Sequence, residues 1–82
     1  MMETIYVIEA QHGQYYKNAD QPHEFTNNVM SARKFKKVDT AQFYADKFVE
    51  FWKRNERIYC GLTGKPAPYA IVRKVTINIT IE

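Results

Sequence analysis

The stretch from about Asp39 to Tyr59 constrains the fold more than any other part of the chain. At 100° per residue, Ala41, Ala45, Phe48, Trp52 and Tyr59 fall within about 40° of one line. Tyr44, Val49, Phe51 and Ile58 widen this stripe to roughly half the helix circumference, and Asp46, Lys47, Glu50, Lys53, Arg54 and Arg57 occupy the opposite side. A helix this lopsided needs a flat apolar surface to lie on. Asp39 followed three residues later by Gln42 fits a capping box at its start, and Gly61 stands where a left-handed cap commonly ends a helix. One residue breaks the pattern: Phe43 projects onto the charged side.

The surface for that stripe comes from strands. Thr4 to Ala10 is rich in β-branched and aromatic residues, and both of its faces, Ile5/Val7 and Tyr6/Ile8/Ala10, are largely apolar, which predicts a central strand. His12-Gly13 supplies a turn and Tyr15-Tyr16-Lys17 a return strand. Asn18 to Glu24 reads as a surface loop, Phe25-Thr26 as a further extended piece, and Asn27-Asn28 as another turn. A turn of helix and a few extended residues are expected between Val29 and Lys37. Gly61 to Pro68 is a loop. From Lys74 onward apolar and polar residues alternate, with Val75, Ile77, Ile79 and Ile81 pointing one way, so residues 69–82 read as a long half-buried strand. The pieces assemble as α+β: a small antiparallel sheet of three to four strands in ββ(β)αβ order, with one long amphipathic helix packed across it.

At 82 residues one domain is expected, with a core too thin to enclose a deep cavity, although twelve aromatic residues offset part of that. No segment is long and apolar enough to cross a bilayer, and the first residues show no basic stretch followed by an apolar run, so a cytoplasmic protein with a reduced Cys60 is expected. Asn78-Ile79-Thr80 is then a chance match to a glycosylation acceptor inside a strand. Charge is unevenly spread: residues 33–74 hold eleven basic and four acidic residues, a net of +7, whereas residues 1–32 carry −3. Such a dipolar distribution favours an acidic partner.

Catalytic chemistry has little to stand on. Cys60, His12 and His23 are the only nucleophile and base of that type, and no glycine-framed turn presents them, so two surface histidines and a structural thiol are expected. No metal-ligand spacing is present and no cofactor is implied. Gly61-Leu62-Thr63-Gly64-Lys65 has the wrong spacing for a phosphate loop and follows a helix instead of preceding one. Asp46 and Glu50 sit on a solvated face among cations, where surface pairing is the natural reading.

Three features point to binding. The cluster Arg33-Lys34-Phe35-Lys36-Lys37 sets four cations around an aromatic ring, which suits nucleic acid if Phe35 stacks on a base. Phe43, flanked by Lys47, Lys53 and Arg54, suits a partner protein unless the loop 18–24 covers it, and Tyr15 and Tyr16 beside His12 are able to extend such a patch. The last strand, if it lies at a sheet edge, invites a homodimer or strand addition.

Tyr6-Val7-Ile8, Gly13-Gln14-Tyr15-Tyr16, Phe25-Thr26, Ala32-Arg33-Lys34-Phe35 and the Ala41/Ala45 helix start occur in an order that resembles small uncharacterised proteins of bacteriophages and prophages of Gram-positive bacteria. The resemblance covers roughly residues 5–50. It implies origin more than activity, since phage proteins of this size often block or redirect host machinery, anti-CRISPR and other anti-defence inhibitors among them. A DNA mimic is disfavoured because the chain lacks a strongly acidic surface. The expectation is a non-enzymatic accessory protein that occludes a host protein with an acidic or nucleic-acid-binding surface. The alternative is a nucleic-acid binder using residues 33–37.

Overall fold

A computed structural model describes residues 2–11 and 13–78. Strands β1 (Met2–Gln11), β2 (Gln14–Tyr16) and β3 (Phe25–Thr26) are followed by a single 3-10 turn (Val29–Ser31), helix α1 (Val38–Thr63) and strand β4 (Ile71–Asn78). The sheet is four-stranded in the order β3-β2-β1-β4, with antiparallel neighbours throughout. The α+β architecture and the ββ(β)αβ order of elements along the chain, expected from the sequence, are present.

β1 is central because both its faces are greasy enough to be covered. Ile8 and Ala10 belong to the cluster beneath α1, together with Tyr16, Phe35, Ala41, Ala45, Phe48 and Trp52. Ile5 and Val7 turn to the other side and bury with Ala32 under partial cover from Tyr15, Val29, Val75 and Ile77. Gly13 adopts φ 79°, the left-handed conformation that lets the chain reverse into β2 without a Cβ clash. The β1–β2 register shifts between Glu9 and Gln11, and the Ala10 carbonyl accepts the Tyr69 N–H at 2.8 Å, tying the approach to β4 onto the central strand. Past Tyr16 the second strand swings away, and Phe35 takes the vacated place beside β1, exchanging hydrogen bonds with Tyr6 at 2.8 and 2.9 Å.

Aromatic stacking closes the helix-covered face. The Tyr16 and Phe48 rings lie nearly parallel at 4.0 Å, and Phe25 meets Tyr16 edge-on at 5.3 Å. The buried Tyr16 hydroxyl donates to the Tyr69 carbonyl at 3.0 Å. Burial pushes the Tyr16 phenol far above its ordinary range, an effect the neighbouring Trp52 indole partly offsets, although that indole N–H makes no hydrogen bond of ordinary geometry.

The helix ends depart from expectation. Its N-cap is Lys37, with no side-chain cap, and the anticipated Asp39/Gln42 capping box does not form. The helix simply begins earlier: Asp39 lies within its first turn, where a carboxylate favours the exposed amides, and Gln42 donates to Asp46 at 2.9 Å. At the other end Gly61 is helical, and Gly64, at φ 68°, is the left-handed cap whose N–H reaches the Cys60 carbonyl. Thr63, the last helical residue, donates its hydroxyl to the Tyr59 carbonyl at 2.8 Å. The apolar stripe is also narrower than its sequence suggests. Ala41, Ala45, Phe48 and Trp52 are buried, whereas Val49 is 46% and Ile58 63% exposed. A 26-residue helix is about 39 Å long, and in its last turns Tyr59 still packs on the core while Ile58 and Leu62 are exposed.

β4 occupies one edge of the sheet. The alternation continues through it, with Val75 and Ile77 half-buried on the face opposite α1 and Lys74, Thr76 and Asn78 exposed. Ile79 and Ile81 lie outside the described residues.

A candidate partner-binding surface

Phe43 is 55% exposed, so its departure from the helical pattern is real. Its ring is held by the adjacent residue Tyr44 and by Lys47 one turn further on. The Lys47 ammonium sits 4.6 Å from its centroid, and Tyr44 meets it edge-on at 5.4 Å. Tyr44 in turn stacks on Phe35 at 5.5 Å, so three rings lead from the core to the surface. Phe43 and Lys47 share a shallow depression of about 430 Å³ with Asp46, Glu50 and Arg54. An apolar floor framed by both charge signs is the composition of an interface core with a polar rim.

The loop 18–24 does not shield this patch. Ala19, Asp20 and Pro22 instead line a hollow with Tyr44, Lys47, Phe48 and Phe51. Tyr15 and Tyr16 do not extend it either: Tyr16 is buried under α1, and Tyr15 packs on the opposite face of the sheet. His12, expected beside them, lies outside the described residues.

The basic cluster is divided by the fold. Arg33, Lys34, Lys36 and Lys37 are all exposed, but Phe35 is only 5% exposed and faces the core. No ring is available there for stacking on a base. The Arg33 guanidinium lies over the Phe35 ring, 5.7 Å from its centroid, and borders a hollow lined by Asp20 and Glu24. The Lys34 ammonium turns back onto the Met30 carbonyl. Lys36 and Lys37 lead into the helix. Of the expected contact residues, Phe43, Lys47 and Arg54 therefore share one depression; Lys53 lines a different groove, and Arg33, Lys34, Lys36 and Lys37 form a separate basic segment.

Two features escaped the sequence reading. One is Tyr44, whose helical position suggested simple core, yet which links Phe43 to Phe35. The other is a groove of about 420 Å³ between α1 and the start of β4, walled by Val49, Trp52, Lys53 and Glu56 on one side and residues 67–71 on the other. Its hint was Val49, a branched apolar residue at the margin of the helical stripe. Near it Tyr69 donates its hydroxyl to Glu9 at 2.6 Å, and Arg73 pairs with the same carboxylate at 3.2 Å. That hydrogen bond holds the Tyr69 phenol above its ordinary value.

Cys60 is a half-buried free thiol in the last turns of α1, and His23 is exposed in the loop before β3. Among the described residues no group of three or more His, Cys, Asp or Glu side chains gathers at one place, and no helix is long and apolar enough to cross a membrane. Compared with protein-family models, with curated proteins and with solved structures, the chain finds no match in any of the three.

Proposed function

We propose that this chain is a non-enzymatic binding protein of bacteriophage or prophage origin that acts by covering a surface of a host protein. The observation that carries the reading is the exposed Phe43 ring, fixed by Lys47 and Tyr44 within a depression rimmed by Asp46, Glu50 and Arg54. A ring held in place before binding loses little rotamer freedom on docking, which is what an anchor residue requires. Lys53 and the cations at 33–37 speed encounter with an acidic or nucleic-acid-binding host surface. The phage origin rests on the sequence resemblance, and action against a host defence system is the narrower form of the same reading.

The test is capture from host lysate after nuclease treatment and at moderate salt. Retention of a discrete host protein by the wild type, lost for Phe43→Ala and Arg54→Glu, is the expected result. Equal capture by the variants, or none by the wild type, overturns it.

A direct nucleic-acid role for Arg33, Lys34, Lys36 and Lys37 draws on their shared exposure. With Phe35 buried, such binding depends on phosphate contact alone and falls steeply with salt. Retardation of short oligonucleotides, abolished when Lys34, Lys36 and Lys37 become glutamate, favours this second reading.

A further inference from the structure

β4 ends the sheet with a row of outward backbone groups. Tyr6 directs both its amide and carbonyl to Phe35, so Glu3, Ile5, Val7 and Glu9 are the β1 residues whose backbone meets β4. Their partners Ile77, Val75, Arg73 and Ile71 point inward, which leaves the N–H and C=O groups of Val72, Lys74, Thr76 and Asn78 pointing outward. Among the described residues no strand lies beyond them, and β4 has neither a proline nor a bulge to discourage pairing.

The side chains of β4 set conditions on whatever completes that edge. Val72, Lys74, Thr76 and Asn78 lie on the α1 face of the sheet, and the last three are exposed, so the helix leaves that side of the edge open. Arg73, Val75 and Ile77 lie on the other face, where Val75 and Ile77 are only half-buried against Ile5, Val7 and Ala32. An added strand must therefore bring an apolar residue beside Val75 and a residue without positive charge beside Lys74. Arg73 makes no such demand, because Glu9 of its own sheet engages it at 3.2 Å.

A second β4 meets both conditions in one register. A two-fold axis through the sheet at Val75 sets the strands antiparallel and keeps the faces aligned. Val75 then opposes Val75 of the second copy at a non-hydrogen-bonded position, where facing side chains come closest. Lys74 opposes Thr76, Val72 opposes Asn78, and the aliphatic stem of Arg73 lies against Ile77. Every outward N–H and C=O from Val72 to Asn78 finds a partner. Moving the axis to Lys74 sets two ammonium groups opposite each other. Moving it to Thr76 shortens the pairing to residues 74–78 among the described residues. Charge and strand length together select the Val75 centre.

We propose that the chain forms a two-fold homodimer by antiparallel pairing of its β4 edges about Val75. The four strands of each copy join into one continuous sheet with both α1 helices on the same side. Contact between two strands alone belongs to the small class of interface, below about 1,200 Å², and a micromolar dissociation constant is expected. Phe43 lies on the helix side away from the core, so the dimer offers two such rings in one direction and meets a host target at two points. That last consequence rests on the function proposed above; the dimer itself does not.

The test is sedimentation equilibrium of the full chain from about 1 μM to about 1 mM, a range that brackets a weak interface. Expected are a reversible monomer–dimer equilibrium and, at the high end, exchange protection of the Val72, Lys74 and Thr76 amides. Thr76→Pro removes one outward amide, leaves the bonds to β1 intact and should weaken the dimer more than about tenfold. Thr76→Glu sets a carboxylate opposite each Lys74 and should tighten the dimer about threefold or more, whereas Thr76→Lys should weaken it by a similar factor. Thr76 is exposed, so T76E and T76K carry the test if T76P does not fold. In a Cys60→Ser background, Val75→Cys should cross-link two chains on air oxidation, since facing residues at that position lie within disulfide reach. Phe43→Ala should leave the dimer unchanged. A monomer throughout the range, a dimer indifferent to the folded Thr76 variants, or one that T76E weakens overturns the proposal. Loss of the dimer in F43A overturns it by placing the contact on the helix. A strict monomer whose β4 amides are protected only by an added capped Val/Thr octapeptide overturns it in favour of a strand from another chain.

Discussion

The face of the sheet that carries Tyr6, Ile8, Ala10 and Tyr16 is closed by a helix, and the face that carries Ile5, Val7 and Tyr15 is closed by one 3-10 turn and Ala32. The first holds the stacked rings Tyr16, Phe48 and Phe25; the second is mainly aliphatic, with the half-buried Tyr15 its one ring among the described residues of that cluster, and leaves Val75 and Ile77 half-open. Large flat rings need a rigid lid to exclude water from both their sides, whereas β-branched side chains shield one another along the pleat. Stability should accordingly concentrate on the helix side, and recognition on the parts of the molecule that the helix side leaves over.

The largest expected effect is on the stacked rings. Phe48→Ala removes the partner of Tyr16 and should cost about 3–5 kcal/mol in urea unfolding, against about 2 kcal/mol for the equally buried Val7→Ala on the other face. A greater loss at Val7 would break the comparison. Tyr16→Phe deprives the Tyr69 carbonyl of its donor and should cost about 1–3 kcal/mol. It should also alter the alkaline limb of stability. The phenol ionises near pH 10 when unfolded and at higher pH when folded, so its contribution is complete below pH 10 and declines as pH rises beyond it. In the variant that decline should be shallower, and an unchanged slope would assign it to other groups.

Smaller effects separate the two glycines at the helix end. Gly64→Ala forces a Cβ into the left-handed region and should cost about 1–2 kcal/mol, although nothing lies within 4 Å of that Cβ. Gly61→Ala, in open space inside the helix, should raise stability by about 0.5–1 kcal/mol. Smallest of all is Phe43→Ala, which should change thermal stability by less than about 0.5 kcal/mol while abolishing host-protein capture. A substantial loss of stability there would make Phe43 a structural residue and sharpen the division between the faces differently.

Much of this architecture was legible in the residues because periodicity reports which side of an element is apolar. The doubly apolar β1 had to be central, and the Ala41/Ala45/Phe48/Trp52 line had to be buried. Periodicity does not report how far the opposing surface extends, so Val49 and Ile58 read as core although both are exposed. Nor does it distinguish an edge from a centre, since Val75 and Ile77 alternate identically in either place. The candidate site was partly visible for the same reason: Phe43 violates the helical pattern in plain sight, whereas the burial of Phe35 depends on Tyr6, twenty-nine positions earlier, receiving its backbone. The helix caps misled because Asp39 and Gly61 each have a competing neighbour, Val38 continuing the helix backwards and Gly64 offering a later stop.

The pairing of β1 with β4 joins the earliest strand to the latest, and this has a bearing on biosynthesis. While the chain emerges from the ribosome, the middle strand has only short β2 and the Phe35 bridge beside it until residues 71–78 arrive. The amphipathic helix meanwhile has an unfinished sheet to rest on. Nascent chains halted before Ile71 should therefore stay protease-sensitive and prone to capture by chaperones, and native resistance should appear in one step once the final strand has cleared the exit tunnel.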